Sequence, residues 1–346
     1  MIQFADQLHA FGFLIAVGQC WTPHKITTAE NERIRSECGY RYHYAPSTHK
    51  ILRGQLAREG QWPYAVAIWK SKVTNKNGAQ TLSIHPGTWC TGSLISSRHV
   101  LTAAHCTDPE QGGMCSKTIN HVRSREGNRQ LLLVYFGQRT RRKNALLSGE
   151  AGPFVAKRII VPHNWICRGQ VGDIAILELN RDVPQSYFNM GITNYMCLPT
   201  PGMTLHSQFE TYGFGITRKE FDRGEIDINA DGKLHRGRMH LLDKQTCIDW
   251  TEQWNGVTPP NDTFCVHEKK EMGVVGCRSD SGGPAIQTDP ITMRHYLLGT
   301  LTHGTNCEWI VDNWGRVLYR GGKYTDVRLY VHWICQQTGV CYQLNG

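Results

Sequence analysis

The stretch that decides the fold is Cys277-Arg278-Ser279-Asp280-Ser281-Gly282-Gly283-Pro284. A serine hydroxyl is a weak nucleophile unless a base takes its proton and fixed N–H groups hold the oxyanion that forms. The two glycines allow the backbone to curl, so that Ser281 projects and N–H groups point at one carbonyl oxygen. A serine among Gly, Asp and Pro is also typical of an ordinary turn. The nucleophile interpretation therefore requires a base and an orienting acid elsewhere in the chain.

Two other segments supply such groups. The first is Leu101-Thr102-Ala103-Ala104-His105-Cys106, and the second is Gly172-Asp173-Ile174-Ala175-Ile176-Leu177. An imidazole base needs a buried acid that fixes its tautomer and stabilises its charged form. Each segment also has an ordinary interpretation, because a histidine before cysteine is often just packed and an aspartate often begins a strand. The chain order His105, Asp173, Ser281 is the order of the chymotrypsin-type triad and differs from that of subtilisins and α/β-hydrolases.

Composition excludes several classes of protein. Charged residues make up 19% of the 346 residues and hydrophobic residues 40%, which is typical of a folded globular protein and not of a disordered one. The net charge of +9 is spread along the chain without a nucleic-acid-binding module, so we expect no nucleic-acid partner. Thirteen cysteines without a Cys-x-x-Cys pair predict disulfides and not zinc sites. The sequon Asn261-Asp262-Thr263 is compatible with glycosylation of a secreted chain.

The chain divides into three parts. The apolar run Phe11–Val17 is too short to span a bilayer, so residues 1–20 are predicted to be a signal peptide. Cleavage after Gly18 or after Cys20 satisfies the small-residue preference, and the second site leaves an even number of cysteines. Residues 21–50 are polar and are interpreted as a propeptide that forms an exposed connector. From Ile51 onward short apolar runs alternate with Gly-, Pro- and Asn-rich turns, which predicts an all-β barrel or sandwich in two units.

From Ile51 to about Cys335 the chain resembles the chymotrypsin/trypsin-like serine endopeptidases. The resemblance is carried by several motifs: Ile-Leu-x-Gly, Trp-Pro-Tyr, Leu-Thr-Ala-Ala-His-Cys, Asp-Ile-Ala-Ile-Leu, Asp-Ser-Gly-Gly-Pro, Gly-Phe-Gly, Thr-His-Gly and Gly-Lys-Tyr-Thr-Asp-Val. It implies a protease domain over 51–346, with two six-stranded antiparallel β-barrels at about 51–185 and 195–335 and a C-terminal helix. It also implies that Ser281 is the nucleophile of an acyl-enzyme mechanism. His105 would then act as general base and general acid, and Asp173 would orient it.

The resemblance also implies a zymogen. In the family, cleavage before the residue corresponding to Ile51 creates an ammonium group that inserts beside the acid preceding the nucleophile, here Asp280. Lys50 supplies a basic site for an activating trypsin-like protease. Lys50 could equally be a charged linker residue.

The resemblance pairs most of the cysteines. It implies Cys90–Cys106, Cys247–Cys265 and Cys277–Cys307, and a Cys38–Cys197 bridge that keeps the propeptide tethered after cleavage. A further bridge common in the family is missing, since Phe209 and Gln287 occupy its two positions. The remaining cysteines pair most simply as Cys115–Cys167 and Cys335–Cys341.

Two residues depart from the family pattern. The backbone N–H groups of Ser279 and Ser281 are expected to form the oxyanion hole, yet the family has glycine at the first position. We expect reduced but measurable activity, because loss of one oxyanion donor costs about 10²–10³ in rate. Arg53, also at a position usually occupied by glycine, is expected to affect the activation segment.

The resemblance places four residues in substrate binding: Val275, Thr302, Gly304 and Gly322. Val275 lies at the base of the primary specificity pocket, and the two glycines leave its walls open. This favours a large apolar or aromatic side chain before the scissile bond. An acid from Glu268, Glu271 or Glu308 could still reach the pocket.

We expect no metal and no cofactor. Asp227–Gly232 resembles the start of a calcium loop, but Arg238 stands where the twelfth-position glutamate belongs and no flanking helices are evident. The expected partners are a protein or peptide substrate and the activating protease, with no membrane and with the chain a secreted monomer. The alternative is a protease-fold binding protein with weak or no catalysis. A lipase or esterase is disfavoured because no Gly-x-Ser-x-Gly elbow is present.

Overall fold

The computed structural model of the chain describes residues 23–41, 55–57, 60–76, 79–107, 130–136, 153–166, 171–215, 234–255, 258–267, 276, 279–304 and 321–342. The strands are β1 Gln55–Leu56, β2 Ala65–Lys76, β3 Ala79–Leu94, β4 His99–Thr102, β5 Gln130–Phe136, β6 Phe154–Ile160, β7 Ala175–Leu179, β8 Gln208–Gly213, β9 His235–Leu241, β10 Thr263–His267, β11 Pro284–Thr288, β12 His295–Gly304 and β13 Gly321–Asp326. The helices are α1 Thr28–Glu37, α2 Gln185–Asn189, α3 Lys244–Asn255 and α4 Val331–Thr338, with 3₁₀ turns at Ala104–Thr107 and Val327–Leu329.

The first barrel is closed in the order β2-β3-β4-β7-β6-β5, and all of its pairings are antiparallel. Its core is apolar: Val66, Ile68, Val100, Leu177 and Phe136 are at most 1% exposed. Strands buried in this way read as short apolar runs in the sequence, which is why the runs predicted a β fold.

The second barrel is built from β8-β9-β10-β13-β12-β11, and the pairing of β8 with both β9 and β11 closes the ring. The short β1 adds to the outer side of β9. The two six-stranded antiparallel barrels, together with α4 near the C-terminus, confirm the fold class expected from the sequence.

The segment 23–41 is not the exposed connector that its polar composition predicted. It contains α1, which begins at the Thr27 cap, where the threonine hydroxyl accepts a hydrogen bond from the backbone N–H of Glu30. Ile26, Ile34 and Cys38 are buried, at 8%, 3% and 6% exposed. The prediction was wrong because few apolar residues stand among many charged ones, and partners distant in sequence determine their burial.

This segment lies against both barrels and α4. The N–H of Ile26 donates to the carbonyl of Thr338 at 2.8 Å, and the N–H of His295 donates to the carbonyl of Gly39 at 3.1 Å. The N–H of His24 donates to Glu178 of β7 at 3.0 Å. The segment therefore contacts every major part of the fold.

Four of the predicted disulfides are confirmed: Cys38–Cys197, Cys90–Cys106, Cys247–Cys265 and Cys335–Cys341. Cys115, Cys167, Cys277 and Cys307 lie outside the described residues, so two pairings stay predictions. At the positions of the missing bridge, Phe209 is buried, and the buried Gln287 amide accepts from the N–H of His206 at 2.8 Å and donates to the carbonyl of Thr204 at 3.0 Å. The glutamine thus links β11 to the segment that precedes β8.

The 12-residue helix α3 was missed by the sequence analysis, which expected an all-β fold with a C-terminal helix. Cys247, on this helix, is bridged to Cys265 of β10, so the helix is held covalently on the second barrel. In the described part of the chain no helix has the length and apolar character needed to cross a membrane.

Candidate active site

His105 and Asp173 lie together, as the sequence predicted. His105 is in the 3₁₀ turn that follows β4, and Asp173 immediately precedes Ile174 and β7. Because β4 and β7 are paired strands, their ends bring the two residues into contact. The carboxylate accepts from the backbone N–H of His105 at 2.8 Å and lies 2.7 Å from its Nδ1. These two bonds fix the orientation of the imidazole ring.

The Asp173 side chain is fully buried, whereas that of His105 is 34% exposed. A buried carboxylate must be hydrogen-bonded, and the Thr302 hydroxyl of the second barrel also donates to it. The Thr325 hydroxyl of β13 donates to the Asp173 carbonyl at 3.1 Å. The acid is therefore held by both barrels at their junction.

The Ser281 loop packs directly against the first barrel. The Ser281 carbonyl accepts from the N–H of Thr91 in β3 at 2.9 Å, and the N–H of Gly282 donates to the carbonyl of Leu301 at 2.8 Å. Gly282 has φ +77°, and a Cβ there would overlap Thr102 and lie 2.9 Å from the backbone nitrogen of Ala103. The loop thus touches the residues that lead into His105, and only glycine fits this contact.

Ser279 has φ 75°, a left-handed conformation that is rare for residues other than glycine. Its carbonyl accepts from the Thr91 hydroxyl at 2.9 Å. The departure from glycine identified in the sequence is therefore a site of backbone strain. Only one other described non-glycine residue, Met293, has positive φ.

Asp280 is 4% exposed, and its carboxylate points at the Gly213-Phe214-Gly215 segment. The N–H of Gly215 donates to it at 2.7 Å. A Cβ at Gly213 or at Gly215 would overlap this carboxylate, so the two glycines make the space that it occupies. Lys50, Ile51 and Arg53 lie outside the described residues.

Gly276, Gly304 and Gly322 lie side by side beside the Ser281 loop. Gly304 and Gly322 are paired across β12 and β13, and a Cβ on Gly304 would meet the carbonyl oxygen of Gly276 at 2.9 Å. The structure thus brings together two of the predicted substrate-binding residues, and Thr302 lies against Asp173. Val275, the predicted pocket base, lies outside the described residues.

The sequence analysis missed His303 and Lys323, which face each other across β12 and β13. Lys323 is 2% exposed, and burial lowers the pKa of its ammonium group. Burial and the charges of Lys323 and His105 lower the pKa of His303 to about 4, so His303 is neutral at pH 7. The available signal was a lysine inside the strand sequence Gly-Gly-Lys-Tyr-Thr-Asp.

One group of possible metal ligands occurs among the described residues: Cys90, His105 and Cys106. Both sulfurs are joined in the Cys90–Cys106 disulfide, so neither is a thiolate that could bind a metal. The calcium-like stretch Asp227–Gly232 lies outside the described residues.

Comparison with known proteins gives a consistent result. Residues 51–334 match the protein-family model described as Trypsin. The chain is also similar to the mouse protein Transmembrane protease serine 11C, with 27% identity over 294 residues. The match covers 84% of this chain and 54% of the mouse protein, so the chain spans about half the length of this curated relative.

Proposed function

Because this chain belongs to the chymotrypsin/trypsin-like family of serine proteases, we propose that it is an endopeptidase in which Ser281, His105 and Asp173 hydrolyse peptide bonds. The observation that carries the proposal is the buried Asp173 carboxylate, which holds His105 by two hydrogen bonds beside the Ser281 loop. This is the arrangement that a base needs in order to activate a serine hydroxyl.

The chemistry follows from these groups. Asp173 accepts the Nδ1–H of His105, so Nε2 is the basic nitrogen that takes the Ser281 proton during attack on the substrate carbonyl. The N–H groups of Ser279 and Ser281 hold the oxyanion, and His105 returns the proton to the leaving amine. Water then hydrolyses the acyl-enzyme. His105 takes a proton from the attacking water and afterwards returns a proton to the Ser281 oxygen as that oxygen leaves. The buried carboxylate stabilises the imidazolium that forms in each half-reaction.

We further propose that the protein is a secreted zymogen, with a signal peptide over 1–20, a propeptide over 21–50 and a protease domain over 51–346. A trypsin-like cut after Lys50 frees the Ile51 ammonium to pair with Asp280. The four disulfides support an oxidising compartment. Asn261 is exposed in a turn, which supports glycosylation there.

The proposed substrates have a large apolar residue before the scissile bond. Gly304 and Gly322 are paired across β12 and β13 and place no side chain in the proposed pocket, and Val275 is the apolar residue proposed for its base. A peptide library tests this on the activated enzyme. Preference for phenylalanine, tyrosine or leucine is expected, and preference for arginine or lysine contradicts it.

A second candidate function is a protease-fold binding protein with weak or no catalysis. The strained φ of 75° at Ser279 favours it, because a side chain at an oxyanion donor perturbs that loop. The two candidates differ in whether Ser281 reacts.

An active-site phosphonate separates them. Protein cut after Lys50, with the new Ile51 amino terminus confirmed by sequencing, is expected to label at Ser281. Uncut protein and the Ser281→Ala variant serve as controls and should not label. Failure of correctly cut protein to label contradicts the endopeptidase proposal.

A further inference from the structure

His303 and Lys323 form a pair of basic side chains beside the candidate active site. They are directly opposite in the antiparallel pairing of β12 with β13. Side chains in such pairs lie on the same face of a sheet, with Cβ atoms about 4.5–5.5 Å apart. His303 is half-buried and Lys323 is buried, so His303 is the more exposed of the two side chains.

This pair faces the crevice between the barrels and not the glycine-lined pocket. Thr325 lies two residues after Lys323, on the same face of β13, and its hydroxyl donates to the Asp173 carbonyl at 3.1 Å. Gly322 lies on the opposite face, where a Cβ would meet Leu301 at 2.8 Å. Lys323 therefore lies on the Asp173 side of the strand.

Among the described residues, Asp173 is the acid whose charge acts favourably on the Lys323 ammonium group, but it makes no ion pair or hydrogen bond with it. The carboxylate oxygens of Asp173 already accept from the N–H and Nδ1 of His105 and from the Thr302 hydroxyl. In the part of the chain that the structure describes, no hydrogen bond or ion pair joins the Lys323 ammonium group to another residue. Burying an ammonium without a partner is costly, so an anion from outside the chain would be stabilised there.

We propose that Lys323, with His303 in front of it, is a subsite for a carboxylate of the substrate. The ligand is an Asp or Glu side chain next to the residue that enters the Gly304–Gly322 pocket. This inference rests on the proposed endopeptidase function. It adds to that function an acidic residue as a second determinant of which bonds are cut.

The two residues have different parts in this subsite. Lys323 supplies the positive charge, and His303 is the more exposed side chain opposite it on the same face of the sheet. A charge-assisted hydrogen bond to a poorly solvated ammonium changes affinity by about tenfold or more. A lysine at this position without such a ligand would only lower the stability of the barrel.

The first test is a cleavage profile of the activated enzyme with peptide pairs that differ only in Glu or Gln at one position near the scissile bond. At one position, kcat/KM should be at least about tenfold higher for Glu. Lys323→Met should reduce this ratio to about twofold or less. Lys323→Arg keeps the charge and should retain most of the ratio.

Lys244→Met is the matched control, because Lys244 is exposed at the start of α3 and the change removes the same charge. It should leave the Glu/Gln ratio unchanged. Lys323→Met should also have an equal or higher melting temperature than wild type, since it replaces a buried charge with an apolar group. A purely structural lysine would give a lower melting temperature and no change in the ratio.

A second test separates the subsite from catalysis. The Ser281→Ala variant lacks the proposed nucleophile, so the same Glu and Gln peptides can be titrated into it without cleavage and their binding affinities measured. The subsite is supported if the Glu peptide binds more tightly than the Gln peptide and the difference disappears in the Ser281→Ala/Lys323→Met double variant. This result would support the subsite even if the wild-type protein fails to label with phosphonate. Equal binding of both peptides, or a preference for Glu that survives Lys323→Met, overturns it.

Discussion

Ser279 is the residue at which the chain departs most consequentially from its family. It has φ 75° at a position where glycine would adopt this conformation without steric cost. The strain falls on a proposed oxyanion donor, so it affects both stability and rate. Substitution at this one position should change both quantities in the same direction.

We predict that Ser279→Gly raises kcat/KM and stabilises the protein by about 1 kcal/mol, because it removes the penalty of a left-handed side-chain-bearing residue. The measurements are peptide hydrolysis and urea unfolding. Ser279→Ala is the control, since alanine pays the same conformational penalty and should show neither gain. A Ser279→Gly protein that is no faster and no more stable would show that the strain has no functional cost.

Gly282 is the residue at which the Ser281 loop meets the first barrel. We predict that Gly282→Ala destabilises the protein by at least about 2 kcal/mol, because the added methyl group overlaps Thr102 and φ is +77°. Displacement of Ser281 relative to His105 should reduce kcat/KM by about 100-fold or more.

Gly202→Ala is the matched control for that substitution, since a Cβ there meets nothing within 4 Å. It should leave stability and kcat/KM near wild type. A Gly282→Ala protein with normal activity would mean that the contact with β4 does not position the serine.

Among the structural elements, the segment 23–41 differs most from expectation. At its end Arg41 pairs with Glu210 of β8 at 2.7 Å, and its guanidinium lies over the Trp62 ring at 4.1 Å from the centroid. Arg41 also donates to Nδ1 of His295 at 3.3 Å. This one side chain connects the segment 23–41 to both barrels.

We predict that Arg41→Met destabilises the protein by about 1–3 kcal/mol, because it removes a charge-assisted bond and a cation–π contact. Urea unfolding and limited proteolysis of the segment measure the effect. Arg98→Met is the control, since its partner Asp182 is 55% exposed and the pair should contribute about 0.5 kcal/mol or less. Equal effects of the two substitutions would contradict the role given to Arg41.

Residues in sequence motifs could be predicted as site candidates from the sequence, whereas the packing of a segment such as 23–41 could not. His105, Asp173 and Ser281 stand in local sequence patterns with small or apolar neighbours, so the sequence alone predicted all three as candidate catalytic residues. The burial of α1 depends on Thr338 and His295, which lie far away in the chain. Lys323 was missed because strand alternation shows which face a residue occupies but not which residue of another barrel that face meets.

At the scale of the whole molecule, each barrel contains a buried histidine that is neutral in the folded state. Burial lowers the pKa of His99 of β4, and of His295 of β12, to about 3 in each case. In the unfolded chain both have the ordinary pKa of about 6.5. Between these values the unfolded state binds more protons, so stability falls as pH falls from about 6.5 toward 3.

We predict that the free energy of unfolding decreases by about 1–2 kcal/mol per buried histidine between pH 7 and pH 5. His99→Asn retains an amide near the Nδ1 position that contacts Ser96, so the protein should fold with a flatter pH dependence. The measurement is urea unfolding at several pH values. His332→Asn, on the exposed face of α4, is the control and should leave the slope unchanged.

An unchanged pH dependence of stability in His99→Asn would contradict this prediction. If the slope of His99→Asn equalled that of wild type, His99 would not contribute to the loss of stability in acid. The same measurement on His295→Asn gives the contribution of the histidine in the second barrel to the pH dependence. His295 contacts Tyr64, which lies in the buried aromatic cluster with Trp62.

The placement of segment 23–41 also determines the order of events during synthesis. Among the described residues it leaves the ribosome first, yet Arg294, Thr338 and Cys341, which bond to it, are made much later than the segment itself. The segment therefore cannot pack against these partners until the barrel strands have been translated and paired. Its docking, and closure of the Cys38–Cys197 bridge across 159 residues, come late in biogenesis. A nascent chain that stops short of Arg294 should leave Cys38 open to alkylation.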